Sequence, residues 1–100
     1  GQASFLSVLK ELGDVPAPGL LSFPRKGYTL ALDFPNLGRS TLELMDDLDA
    51  IVREAEGAIY PAKDARMSPA MFSLGYPAID TFSQHIDPRF SSSFWRRVCP

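Results

Sequence analysis

The stretch from Ser40 to Glu56 reads as one long amphipathic helix, and it limits what the rest of the chain can be. Ser40 stands as N-cap with Glu43 three residues on, the spacing of a capping box. Leu44, Leu48, Ile51, Val52 and Ala55 form one apolar stripe. Gly57 is placed as the C′ residue that stops the helix. A helix with one apolar stripe has to bury it against another layer. A chain of 100 residues has room for one domain with one modest core. Asp46, Asp47 and Asp49 crowd the same helix. They lack the glycine and distal glutamate of a calcium loop, so they read as a solvated acidic face and not as a metal site.

Before the helix, Ala3 to Leu12 is ambiguous. Phe5, Leu9 and Leu12 fit a helical face, while Leu6, Val8, Lys10 and Leu12 alternate as in a strand. Periodicity alone slightly favours helix. Gly13 to Gly19 holds two glycines and two prolines and reads as a loop. Leu20 to Phe23 is a short apolar run stopped by Pro24. Tyr28 to Phe34 reads as a strand, with Tyr28, Leu30, Leu32 and Phe34 on a face that can bury. Thr29, Ala31 and Asp33 make the other face, whose small or polar side chains leave room for something to lie against it.

After the helix, Ala58 to Tyr60 reads as a short strand. Ser68 caps a brief helix that has Pro69 at its first position and ends at Gly75. Pro77 opens another, with Ile79, Phe82 and Ile86 inward, and Pro88 closes it. Ser91 to Val98 can form a final turn or two, anchored by Phe94 and Trp95. The expected fold is α+β over residues 1–100 as one domain. A small antiparallel sheet is packed by one long helix and followed by short C-terminal helices.

A net charge of −2 gives no electrostatic footprint for nucleic acid or an anionic membrane. No apolar run approaches the roughly 20 residues of a membrane span. No basic region leads into an apolar stretch at the N-terminus, so no signal peptide is expected. Gly1 in place of methionine reads as a tag remnant. Cys99 is the one cysteine, so no internal disulfide can form and a cytoplasmic setting is expected. The thiol itself reads as incidental. There is no glycine-rich dinucleotide or phosphate loop and no His or Cys spacing for a metal. The sole histidine, His85, sits near a helix end, where it suits the helix dipole. A scattered serine, histidine and aspartate do not make a triad.

What stands out chemically is Tyr60-Pro61-Ala62-Lys63-Asp64-Ala65-Arg66, directly after the helix. A loop anchored on a rigid element is a common place for a site. The plain alternative for Lys63 is a surface lysine paired with Asp64 or a nearby glutamate. Such a pair would contribute only about 0–1 kcal/mol.

The run resembles a Tyr-x-Ala-Lys-Asp-Ser-Arg run in FAD-linked sugar oxidoreductases of the decaprenylphosphoryl-ribose oxidase type, within the vanillyl-alcohol-oxidase-like superfamily. Ser4-Phe5-Leu6-Ser7-Val8-Leu9-Lys10-Glu11-Leu12-Gly13 resembles that family's Ser-Phe-Leu-Asn-Val-Phe-Lys-Leu-Phe-Gly. Leu21-Ser22-Phe23-Pro24, Gly27-Tyr28, Asp33-Phe34-Pro35, Tyr76-Pro77 and Ile86-Asp87-Pro88 follow in the family's order and near its spacing. Each motif is weak alone; their shared order is what makes the resemblance specific.

The resemblance implies the C-terminal part of a substrate domain that closes over a flavin. It implies FAD as cofactor of the full-length enzyme, held by an N-terminal FAD-binding domain, with none bound by this segment alone. By the same resemblance Lys63 lies at the isoalloxazine ring, in a catalytic and cofactor-binding role, with Tyr60 close by as a second catalytic residue that helps orient substrate. Lys10 points into the substrate pocket from a strand, which resolves the first segment as strand. Thr29 and Ala31 face that pocket. The family's best-known members have asparagine at the position of Thr29 and cysteine at that of Ala31, so the substrate is open. A fixed cation near flavin N1 and the C2 carbonyl stabilises the charge of the reduced ring.

Two functional readings result. One is part of an oxidoreductase acting on a hydroxyl of a sugar or polyol-like small molecule, the isolated chain being inactive. The other is a stand-alone binding or interaction module that has lost the flavin domain. In either case an isolated chain with unpaired strand edges is expected to form a homo-oligomer.

Overall fold

The computed structural model describes residues 2–99. Gly1, read above as a tag remnant, lies outside the described residues, as does Pro100. The chain forms strand β1 (Leu6–Leu12), strand β2 (Gly27–Asp33) and the long helix α1 (Arg39–Glu54). A single 3-10 turn (Pro61–Lys63) and three short helices follow: α2 (Pro69–Gly75), α3 (Ile79–Ser83) and α4 (Ser93–Val98). This is the expected α+β arrangement, with a two-stranded antiparallel sheet preceding the long helix. The first segment is a strand, against its weak helical periodicity.

The strands pair in the register Leu6↔Asp33 through Leu12↔Gly27. Residues opposite one another in an antiparallel pair share a face. Leu6, Val8, Lys10 and Leu12 therefore share theirs with Asp33, Ala31, Thr29 and Gly27. Leu9, Leu30, Leu32 and Tyr28 lie on the other. Expected to bury, that second face is open: Leu9 is 70%, Tyr28 72% and Leu30 60% exposed. Among the described residues the substantial packing between elements is β1 on β2 and α2 on α4. The radius of gyration, 14.8 Å, exceeds the roughly 13 Å typical of this length, as a projecting hairpin requires.

Both ends of α1 depart from the expected chemistry. The N-cap is Gly38, at φ 82°, not Ser40. Asn36 Oδ1 accepts the Gly38 N–H at 3.0 Å, and Thr41 Oγ1 accepts the Leu37 N–H at 2.9 Å. Ser40 Oγ instead accepts from the Gln2 amide at 2.8 Å. Glu43 pairs with Arg39 one turn back, at 2.8 Å. The capping box fails because the helix already begins at Arg39, with Gly38 as N-cap two residues before Ser40, which places Ser40 inside the first turn. At the other end Glu56, not Gly57, carries the positive φ, 53°. The Glu56 N–H donates to the Arg53 carbonyl at 3.0 Å and the Gly57 N–H to the Val52 carbonyl at 2.8 Å. That is a Schellman ending shifted by one residue. Space at Gly57 is tight instead: a Cβ there would lie 3.1 Å from Val52 Cγ1 and 3.2 Å from its carbonyl oxygen.

The core lies in the C-terminal half, where Met67, Met71, Phe72, Tyr76, Ile79 and Val98 are buried. Ser68 Oγ caps α2 by accepting the Met71 N–H at 3.1 Å, and Ser92 Oγ caps α4 from Trp95 at 3.0 Å. Phe72 stacks edge-on against Phe94 at 5.3 Å, and Phe82 meets Trp95 at 5.8 Å. From α1, Val52 reaches this core while Ile51 stays exposed. Ala58 to Tyr60 was expected to be a strand, but it joins no ladder. The Tyr76 hydroxyl, donating to the Ile59 carbonyl at 2.8 Å, holds it as an extended strap.

Two predictions follow from these contacts. Glu56→Gly removes a left-handed side-chain conformation that costs on the order of 1 kcal/mol. The urea midpoint should rise, and no rise would show the position is unstrained. The second concerns Tyr76. Burial pushes its hydroxyl up to about 12, with the field of Arg25 opposing and that of Tyr60 adding. The folded value lies above that of a free tyrosine, about 10. The contribution is therefore complete below pH 10 and is lost as pH rises through about 12. Urea midpoints should fall between those two pH values, and fall less in Tyr76→Phe. Parallel curves for the two proteins would refute the assignment.

Candidate functional site

The loop after α1 is built by Asp64. Its N–H closes the 3-10 turn on the Pro61 carbonyl at 3.3 Å. Its carboxylate accepts the Arg66 N–H at 3.2 Å and the Met67 N–H at 2.9 Å. This is the local turn-making chemistry that aspartate favours. Arg97, on α4, donates from Nη2 to Asp64 Oδ2, and its Nε donates to the Met67 carbonyl at 3.2 Å. The Asp64 side chain is only 6% exposed. A carboxylate so placed needs its counter-charge; deleting one member of a fully buried pair costs about 3–5 kcal/mol. The guanidinium of Arg97 also lies 5.5 Å from the Phe94 ring centre.

Arg66 ties the far side of the loop to α1. Its Nη2 donates to Asp46 Oδ1 at 2.6 Å and to Asp49 Oδ2 at 2.7 Å. Burial works against that charge, but the hydrogen bonds and fields of Asp46 and Asp49 outweigh it and hold the guanidinium above its ordinary value. The acidic face expected to be simply solvated is thus two-thirds engaged, with Asp47 left in solvent. No group of three metal-ligating side chains occurs among the described residues.

Lys63 is exposed, at the end of the 3-10 turn. Among the described residues no carboxylate lies within ion-pair distance of it, and Asp64, the obvious partner, is held by Arg97. Tyr60 precedes the turn, 56% exposed, with its ring 5.2 Å from Phe23. Phe23 belongs to the segment joining β1 to β2. From that segment Arg25 also donates to the Gly75 carbonyl at 2.6 Å. These two contacts fasten the connection between the two strands to the helical body.

The other expected site residues fall on the hairpin. Lys10 lies opposite Thr29 and Val8 opposite Ala31, so Lys10, Thr29 and Ala31 share one sheet face. The structure thus brings together two sets, Tyr60 with Lys63 and Lys10 with Thr29 and Ala31. No substantial contact between their elements joins them. Cys99 borders a groove between α2 and α3. Burial, then the field of Asp80, raises its thiol above the ordinary value, which disfavours the reactive thiolate. His85 is exposed and lies just beyond α3.

Sequence reasoning missed Asp64, Arg97 and the Arg66–Asp46–Asp49 group as the frame of the loop. The Asp-x-Arg spacing could have suggested a turn. Nothing local could have paired Asp64 with a residue 33 positions away.

No helix among the described residues is long and apolar enough to cross a membrane. No family model matches the chain. It is 36% identical over 98% of its length to an uncharacterized protein in the mprA 5′ region of Streptomyces coelicolor, of which it covers 28%. It is 38% identical, again over 98% of its length, to decaprenylphosphoryl-β-D-ribose oxidase of Mycolicibacterium smegmatis, of which it covers 22%. The chain thus spans about a quarter of the length of these curated relatives. Nearly end to end, this chain is a homologue of one segment of a decaprenylphosphoryl-β-D-ribose oxidase, as its ordered motifs imply.

Proposed function

We propose that this chain is the C-terminal part of the substrate domain of an FAD-dependent oxidoreductase that oxidises a hydroxyl group of a sugar or polyol-like small molecule. The homology to decaprenylphosphoryl-β-D-ribose oxidase over 98% of the chain carries this reading. FAD would be held chiefly by an N-terminal domain of the same protein. The side chains here suit the flavin ring: an exposed lysine without a carboxylate partner among the described residues, beside an exposed tyrosine. The sequence has no phosphate loop to hold the rest of the cofactor. Bound FAD would supply the hydride-accepting chemistry. Lys63 would hold a positive charge against the ring, and Tyr60 would border it. Lys10 and Thr29 would orient the substrate, with Ala31 leaving space between them. The lone cysteine supports a cytoplasmic setting.

In the full-length protein Lys63→Met should slow flavin reduction about 100- to 1,000-fold, the usual effect of deleting one preorganised charge-stabilising group. Substrate dissociation should change much less, because the interaction strengthens as charge develops. Stopped-flow reduction kinetics read both. A change below about threefold would remove Lys63 from this role.

A second reading is an interaction module working through the hairpin, and the exposure of both sheet faces favours it. β1 pairs only with β2, so its outer edge is open among the described residues. A second copy could add to that edge about a two-fold axis at Leu9. Lys10 would then face Val8 and Glu11 would face Ser7, so no like charges meet. The isolated chain should therefore run as a dimer or larger assembly in light scattering. A clean monomer mass at high concentration would reject self-association through this edge.

A further inference from the structure

Lys63 can act as a free cation only if its neighbour, Asp64, does not capture it. Asp64 is the nearest carboxylate in sequence, and its side chain is almost completely buried. Arg97 already occupies that carboxylate. Its Nη2 donates to Asp64 Oδ2, and its Nε grips the Met67 carbonyl at 3.2 Å at the other end of the loop. Two backbone N–H groups, of Arg66 and Met67, take the remaining acceptor positions. On the far side Arg66 is fixed by Asp46 and Asp49.

We propose that Arg97 is a positioning residue for Lys63: it neutralises Asp64 and clamps the loop to α4, so that the Lys63 ammonium stays unpaired and directed outward. This rests on the reading of Lys63 as the cation beside the flavin. It adds a residue on the last helix that acts through Asp64 and touches neither substrate nor cofactor. With Arg97 removed, Asp64 would retain its two N–H bonds, and the adjacent ammonium would become its natural counter-charge.

The test uses the full-length protein with Arg97→Met, Arg97→Lys and the double variant Arg97→Met/Asp64→Asn. One readout needs no cofactor chemistry. Competitive labelling of amines with acetic anhydride, followed by mass spectrometry, measures how available the Lys63 amine is. Arg97→Met should lower Lys63 labelling at least threefold and raise deuterium uptake over residues 61–67. Adding Asp64→Asn should restore the labelling while uptake stays high, because the competing anion is gone but the clamp is not rebuilt. Arg97→Lys, which keeps a charge but loses the fork, should lie between. Flavin reduction should follow labelling: at least tenfold slower in Arg97→Met and largely recovered in the double variant.

Unchanged labelling in Arg97→Met, or no recovery in the double variant, would overturn the proposal. Should Arg97→Met not fold, Arg97→Lys decides, and unchanged labelling there would overturn it as well. If Lys63→Met alone leaves flavin reduction intact while the labelling behaves as expected, the role of Lys63 falls and the Arg97 clamp stands.

Discussion

The Asp64 carboxylate is the point on which the helical body closes. It makes the turn after α1 by accepting the N–H groups of Arg66 and Met67, and it receives the guanidinium of Arg97 from the last helix. Met67, at the end of that turn, is among the most deeply buried side chains. A charged group thus sits directly beside the hydrophobic core. Burying a charge is tolerable only when it is paired and fully hydrogen-bonded. No buried side-chain nitrogen or oxygen among the described residues lacks a partner. The exposed Lys63 ends the 3-10 turn and directly precedes Asp64.

Apolar burial is unevenly shared. Phe72, Tyr76, Phe94 and the residues around them make a small aromatic and methionine core. The strands themselves add little to it; their connection packs Leu21 and Phe23 against it and is fastened by Phe23 on Tyr60 and Arg25 on Gly75. An isolated two-stranded hairpin is at best marginally stable in water. Its open apolar face and free edges are what a sheet shows when further strands or a second layer complete it. The chain spans about a quarter of the length of the curated relatives it matches.

The distribution of polar side chains follows the same division. On β2, Thr29, Ala31 and Asp33 put small and polar groups on the face shared with Lys10, while Tyr28, Leu30 and Leu32 take the opposite face; β1 adds Leu6, Val8 and Leu12 beside Lys10. On the body, three arginines tie elements together: Arg25 reaches a backbone carbonyl, Arg66 two aspartates and Arg97 Asp64. Arginine suits such sites because its planar fork keeps several donors in fixed geometry. The lysines Lys10 and Lys63 are exposed.

Much of this molecule could be read from local pattern. The alternation in Tyr28 to Asp33, the stripe of α1, the Ser68-Pro69 start of α2 and the ordered short motifs are nearest-neighbour signals, set by backbone sterics and side-chain period. Misreadings arose where two local solutions compete. Ser40 and Gly57 each looked like a cap, but the helix is capped by Gly38, two residues before Ser40, and ends at the left-handed Glu56, one residue before Gly57. Ala58 to Tyr60 is extended, as its composition suggested, but no strand lies beside it to make a ladder. The pairing of Asp64 with Arg97, the capture of Arg66 by α1 and the exposure of the hairpin had no sequence signal. Each depends on which distant surfaces meet, and a local pattern carries no information about a partner 33 residues away.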